Sequence, residues 1–234
     1  MRPAAASLLF VLSAAAAACG QNPADLTRQR FAARELFFAG KFDECIAAFD
    51  RLAAAAPGIE PSLWERGLAY YYAGRYKDAV RQFTGYDRVD KLDIENGLWH
   101  YLSTAKIEGL DAARKNILKY EQRRREPFPA LLDLYVGKGA PEAVLKSAED
   151  GVADKLQLKL NRFFAHLYLG KWHQAHGRHR EALPHFEKAV ADEITAGEFA
   201  SGHFMWHCAR VDLERTRAEL RNPAGKAGDG KADR

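Results

Sequence analysis

The chain has 234 residues, 47% of them hydrophobic and 28% charged, with a formal net charge of +4. That is enough apolar material for one large domain, or a small one with tails, and it excludes a globally disordered chain. The charge excess is too small and too dispersed for a protein built around phosphate backbones, and three cysteines cannot make a disulfide scaffold.

The chain opens with Met1, Arg2 and Pro3, followed by an apolar stretch from Ala4 to Ala18 that contains Leu8, Leu9, Phe10, Val11 and Leu12. A charged start, a short apolar core and a run of alanines predict a secretory signal peptide over residues 1–18. Beyond residue 20 no uncharged apolar run approaches the ~20 residues of a membrane span. The stretch ends Ala16-Ala17-Ala18-Cys19-Gly20. This resembles the bacterial lipobox, in which a cysteine after two small residues becomes the lipid-bearing N-terminus. Ala16 departs from it, since Leu or Val is usual there, and simple secretion with cleavage after Ala18 suits the same residues. The resemblance implies lipidation at Cys19, with residues 19–24 as a linker and the chain tethered to a membrane surface rather than spanning it. Gly20 is not the Asp-type retention signal of inner-membrane lipoproteins, so the expected place is the outer membrane, facing the periplasm.

A repeated sentence follows. Gly40, Gly74 and Gly177 stand in Phe37-Phe38-Ala39-Gly40-Lys41-Phe42, Tyr71-Tyr72-Ala73-Gly74-Arg75-Tyr76 and Gln174-Ala175-His176-Gly177-Arg178-His179. The first two glycines are 34 residues apart, and the third follows after three such periods plus one. After each glycine comes a stripe at i, i+3, i+4, i+7, which gathers four side chains on one helix face. The stripes are Phe42, Cys45, Ile46 and Phe49; Tyr76, Ala79, Val80 and Phe83; and His179, Ala182, Leu183 and Phe186. Seven positions before each glycine stands a small residue, Ala33, Gly67 or Gly170, on a preceding helix. Small residues there allow two helices to approach closely, and the glycine frees the turn between them.

These residues resemble the tetratricopeptide repeat (TPR) family. The resemblance implies an all-α, right-handed helical-hairpin solenoid, with two N-terminal repeats over 25–90 and a C-terminal repeat plus final helix over 154–221. Between them the period frays. Degenerate hairpins are expected over 91–153, one around 94–118 and one around 129–149, where Gly109 and Gly139 stand near the turns. The run Arg123-Arg124-Arg125-Glu126-Pro127 reads as a connector, and 222–234, with no apolar residue larger than alanine, as a disordered tail. More loosely, the signal and cysteine, Asn96-Gly97-Leu98-Trp99-His100-Tyr101-Leu102, Leu134-Tyr135-Val136-Gly137-Lys138 and Tyr168-Leu169-Gly170-Lys171 are similar to the NlpI type of bacterial lipoprotein. Its members are scaffolds for envelope enzymes.

In the repeat family the first helix of each pair lines a concave face. Carried over residue by residue, that implies a protein- or peptide-binding groove of Arg30, Arg34, Phe37, Phe38, Trp64, Leu68, Tyr71, Tyr72 and Lys171. Aromatic and arginine side chains make good anchors, and a segment with apolar side chains and a carboxylate would suit them. The bland alternative is that the aromatics pack under the neighbouring helix. His173, His176, His203 and His207 recur at helical spacings and are the candidates for a metal, with Cys208 adjacent, although structural histidine is the reading preferred and no metal is expected. No Glu stands between His203 and His207 in the zinc-protease pattern, and the chain has neither a phosphate loop nor a nucleophile elbow. Cys45 occupies the small buried position of its repeat. The expectation is a non-enzymatic scaffold or adaptor without a cofactor, binding envelope proteins or peptides and no nucleic acid, with homodimerisation left open. The alternatives are a metal-binding envelope protein using the C-terminal histidines, and a structural subunit of an envelope complex.

Overall fold

The computed structural model describes residues 22–120 and 125–222. The expected signal peptide, Cys19 and all but the first residue of the expected tail lie outside the described residues. Among those described the fold is all-α, with helices throughout and no strand. It divides into two compact units, and the boundary falls between Arg123 and Arg124, inside the basic run read as a connector. That boundary cuts the 91–153 segment in two, so its hairpins belong to different units.

Unit 1 contains α1 (Pro23–Phe38), α2 (Phe42–Ala55), a 3-10 helix (Pro57–Ser62), α3 (Trp64–Tyr72), α4 (Tyr76–Tyr86), α5 (Ile94–Glu108) and α6 (Leu110–Lys115). Unit 2 contains α7 (Phe128–Tyr135), α8 (Pro141–Glu149), α9 (Lys155–Ala175), α10 (His179–Ala191) and α11 (Ala200–Arg221). Short polar side chains start three of these. Asn22, Asp93 and Asp154 accept the backbone N–H of Ala24 (3.0 Å), Glu95 (3.1 Å) and Gln157 (2.7 Å), donors that have no partner inside the helix. Within each unit consecutive helices pack on one another, and α3 also touches α5 while α9 also touches α7 and α11. First helices of successive pairs thus meet, as do the two helices of each pair.

The three hairpin turns are alike. Gly40, Gly74 and Gly177 have φ of +74°, +79° and +71°, a region where a Cβ is strained. At each, the residue after the glycine donates its N–H five residues back: Lys41 to Leu36 O (2.9 Å), Arg75 to Tyr70 O (2.8 Å) and Arg178 to His173 O (2.9 Å). These bonds satisfy carbonyls that the helix end leaves open. A fourth turn is built the same way at Gly137, with φ +79° and Lys138 donating to Asp133 O (2.8 Å). The sequence pattern pointed to Gly139 instead. Two residues, Gly139 and Ala140, stand between Lys138 and the start of α8, so the buried stripe moves to Val144 and Ala148 and the period is lost.

The stripes bury unevenly. Cys45, Ile46, Phe49, Ala79, Phe83, Ala182 and Phe186 are buried, whereas Phe42, Val80 and Leu183 are only half-buried. The closest approach within a pair is the same in both units. A Cβ placed on Gly67 would stand 2.6 Å from Cε1 of Phe83, and one on Gly170 would stand 2.6 Å from Cε1 of Phe186. Each ring follows its glycine by 16 residues, as Phe49 follows Ala33, and all three rings are buried.

Gly67→Ala and Gly170→Ala are each expected to destabilise the chain by about 1–2 kcal/mol, because overpacking outweighs the gain in helix propensity. Gly85→Ala, in α4 with nothing within 4 Å of the added carbon, is expected to be neutral or stabilising by up to about 1 kcal/mol. Denaturant melts of the three variants check both signs.

Candidate functional site

In unit 1 the two arginines expected to meet a partner's carboxylate already hold one. Glu65 of α3 is fully buried, and Arg30 of α1 grips it in bidentate fashion, Nε at 2.9 Å and Nη2 at 2.7 Å. Arg34, one turn on, donates to the same carboxylate through Nε at 2.9 Å and through Nη2. Burial would raise the Glu65 pKa, but the two guanidiniums outweigh it and hold the carboxyl below its ordinary range. Arg30 is buried, so it offers nothing to a partner in this conformation.

Phe37, Leu68, Tyr71 and Tyr72 are buried as well. Tyr72 meets Phe37 edge-on with centroids 5.5 Å apart, stacks on Phe42 at 5.6 Å and lies 6.0 Å from Trp99, while Tyr71 meets Trp99 edge-on at 5.1 Å. These rings form the aromatic core that joins α1 and α2 to α3 and α5. Here the structure gives the bland alternative, packing, rather than an open groove floor.

What remains at the surface is narrower. Trp64 and Phe38 are half-buried, and Arg34 reaches the surface beside them. Phe31, which the family positions did not include, is 57% exposed. The Arg34 Cζ lies 5.4 Å from the Phe31 ring centroid and 5.8 Å from that of Trp64, so one guanidinium bridges an aromatic residue of α1 and one of α3. Phe38 is four residues beyond Arg34 on the same face of α1. The signal for Phe31 was available as a large ring on an otherwise polar stretch, Arg28-Gln29-Arg30-Phe31.

In unit 2 the expected groove residue Lys171 is fully buried. Its Nζ lies 2.9 Å from Oδ1 and 2.8 Å from Oδ2 of Asp212 on α11. Burial presses the ammonium pKa down and Asp212 pulls it back, with burial the stronger. Lys171 directly follows Gly170, just as Arg34 directly follows Ala33. The same position thus carries a cation in both units, each answered by a carboxylate on the first helix of the next pair, or on α11.

The histidines are tied locally. His176 donates through Nδ1 to Trp172 O (2.7 Å), and His203 through Nδ1 to Ile194 O (2.8 Å), while the His203 and His207 rings meet edge-on at 4.9 Å. His173 stacks on His185 of α10 at 5.5 Å, and His185 shares an Nδ1···Nδ1 hydrogen bond of 2.9 Å with His166. His166 and His185 were not candidates in the sequence, because the residues that meet are 19 apart. Among the described residues no group of three or more His, Cys, Asp or Glu side chains is placed to hold a metal ion. Burial lowers the His166, His185 and His207 pKa values to about 4, with neighbouring positive groups adding to it. Cys45 is buried, and its thiol is pushed up to about 12 by burial and by nearby Glu65, so it is protonated at neutral pH. No family model matches the chain.

Glu65→Gln is expected to cost about 3 kcal/mol, since it strands the buried charge of Arg30, and a denaturant melt measures it. Stability is also expected to fall as pH drops below neutral. Unfolded histidine binds a proton near pH 6.5 and the folded His166, His185 and His207 only near 4, so the unfolded chain holds more protons in between. The stabilisation is complete above about pH 6.5 and is lost as pH falls toward 4. The Glu65 carboxyl is held below its ordinary range by Arg30 and Arg34, so its own contribution persists at neutral pH and is lost only in acid. The melting temperature should therefore drop between pH 7 and pH 5, and the slope should flatten in a His166→Gln/His185→Gln variant.

Proposed function

We propose that the chain is an exported, lipid-anchored binding scaffold, built as a TPR-like helical-hairpin solenoid, which holds envelope proteins or peptides without chemistry of its own. The observation that carries this reading is the hairpin repeated in both units. It has the same glycine turn and the same small-residue-to-phenylalanine approach sixteen residues apart, and in each unit a cation of a first helix meets a carboxylate on a later helix, Glu65 of α3 or Asp212 of α11. A unit of that kind leaves a flank to be covered by its neighbour, which is the logic of stacked repeats. Such stacks present rigid surfaces, and a rigid surface loses little freedom on binding.

The partner-facing surface proposed is Phe31, Arg34, Phe38 and Trp64 of α1 and α3. Two rings bridged by a largely shielded guanidinium offer aromatic area in a fixed arrangement, and aromatic side chains are frequent anchors at protein interfaces. Arg34 gives Nε and Nη2 to Glu65, which fixes its guanidinium between the two rings and keeps them in place before a partner arrives. The anchor proposed is Cys19, with the mature chain facing the periplasm from the outer membrane.

Crosslinking in intact cells with a tagged chain tests the reading. A stoichiometric envelope protein is expected with wild type and is expected to drop at least about tenfold with Phe31→Ala/Trp64→Ala at unchanged helicity, since two aromatic anchors are worth more than 1 kcal/mol each. Tyr72→Ala is not a substitute, because it removes a core ring. In the same cells Cys19→Ser should release the chain from membranes. Capture unaffected by the aromatic pair would place the interface elsewhere, and full membrane retention of the Cys19→Ser chain would remove the anchor.

A further inference from the structure

In unit 2, between the amino-terminal half of α9 and the carboxy-terminal end of α10, lies a cleft of about 380 Å³. That is at the small end of the ~300–1,000 Å³ typical of ligand sites, and it is half-open. Its floor is apolar, with Phe163 and Ala189 buried and Leu158 half-buried. Its rim is cationic: Lys155, Lys159, Arg162 and Lys188 against one carboxylate, Asp192. Two of the cations are already paired. Lys159 donates to Glu198 (2.9 Å) and to the Glu193 carbonyl (2.7 Å), and Arg162 donates to Glu149 (2.9 Å). Lys155 and Lys188 form no salt bridge among the described residues and stand on different helices of the cleft.

We infer that this cleft is a docking site for an acidic peptide segment, whose carboxylates meet Lys155 and Lys188 while an apolar side chain between them rests on Leu158 and Phe163. Charge complementarity selects the occupant. With Lys159 and Arg162 answered by Glu198 and Glu149, Lys155 and Lys188 outnumber the one remaining carboxylate, Asp192, and favour an anionic occupant. A half-open trough over an apolar strip suits an extended chain, which can lie along it, better than a compact solute that needs enclosure. The inference deepens the scaffold reading and rests on it for the ligand being protein. It concerns a surface in unit 2, separate from the aromatic surface of unit 1.

The test uses the purified mature chain and a fluorescein-labelled peptide of alternating Asp and Leu, beside its Asn–Leu counterpart. The acidic peptide is expected to bind at least about tenfold more tightly than the amide version, with affinity falling as salt is raised. Lys155→Glu/Lys188→Glu should remove that preference at unchanged melting temperature, and Lys155→Ala/Lys188→Ala should reduce it. Ring signals of His166, on the cleft wall, should shift with the acidic peptide. Equal binding of the two peptides, no binding of either, or an acidic preference untouched by the double variant overturns the inference. So does binding of phosphatidylglycerol vesicles through the same lysines when the acidic peptide fails to bind. Any of those results leaves the Phe31/Trp64 crosslinking outcome unaffected, so failure here is distinct from failure of the scaffold reading.

Discussion

A phenylalanine ring pressed against a glycine of the facing helix is the constraint on which the α3–α4 and α9–α10 hairpins depend. At Gly67 and Gly170 there is no room for even one methyl group between the first helix and the ring of Phe83 or Phe186. Burying such a ring is worth about 1.5–3 kcal/mol, and that gain is available only if the helices close to this distance. The turn glycines make the closure achievable, since the chain must reverse within three residues in a conformation that L side chains resist. In these two hairpins turn, stripe and small residue act as one device.

A second device acts between hairpins rather than within them. Arg30 and Arg34 reach Glu65, and Lys171 reaches Asp212, all with little or no access to water. Buried pairs of this kind add modest net stability, because desolvation offsets the attraction. Their effect is on alternatives, since any stacking that separated the partners would leave a bare charge in an apolar interior.

Much of the hairpin plan was readable from the chain because it is local. A glycine turn flanked by a small residue seven positions earlier and an apolar stripe after it is complete within about thirty residues. The binding surface was harder to read, because the fate of Arg30 and Arg34 is decided by Glu65, more than thirty residues away. Family positions marked these arginines as outward-facing, and nothing nearby showed that a carboxylate would be delivered to them from inside. Phe31 was overlooked for the opposite reason, lying between two positions that the pattern ranks as informative. At the centre, the extra Gly139-Ala140 after a turn at Gly137 like the other three displaced the stripe and hid the hairpin. The His166–His185 contact joins two helices in a register that only their packing reveals.

The charge links between hairpins also bear on how such a chain could change over evolutionary time. Arrays of interchangeable modules lengthen or shorten by copying or losing a unit, provided every seam is chemically equivalent. Here the seams differ: two guanidiniums share one glutamate in unit 1, and an ammonium faces an aspartate in unit 2. Losing the hairpin that supplies Glu65 would abandon two buried cations, and inserting a duplicate ahead of it would leave the original Glu65 without its arginines. Gradual drift at exposed positions is the cheaper route, because losing or copying a hairpin at either of these seams leaves a buried charge unanswered.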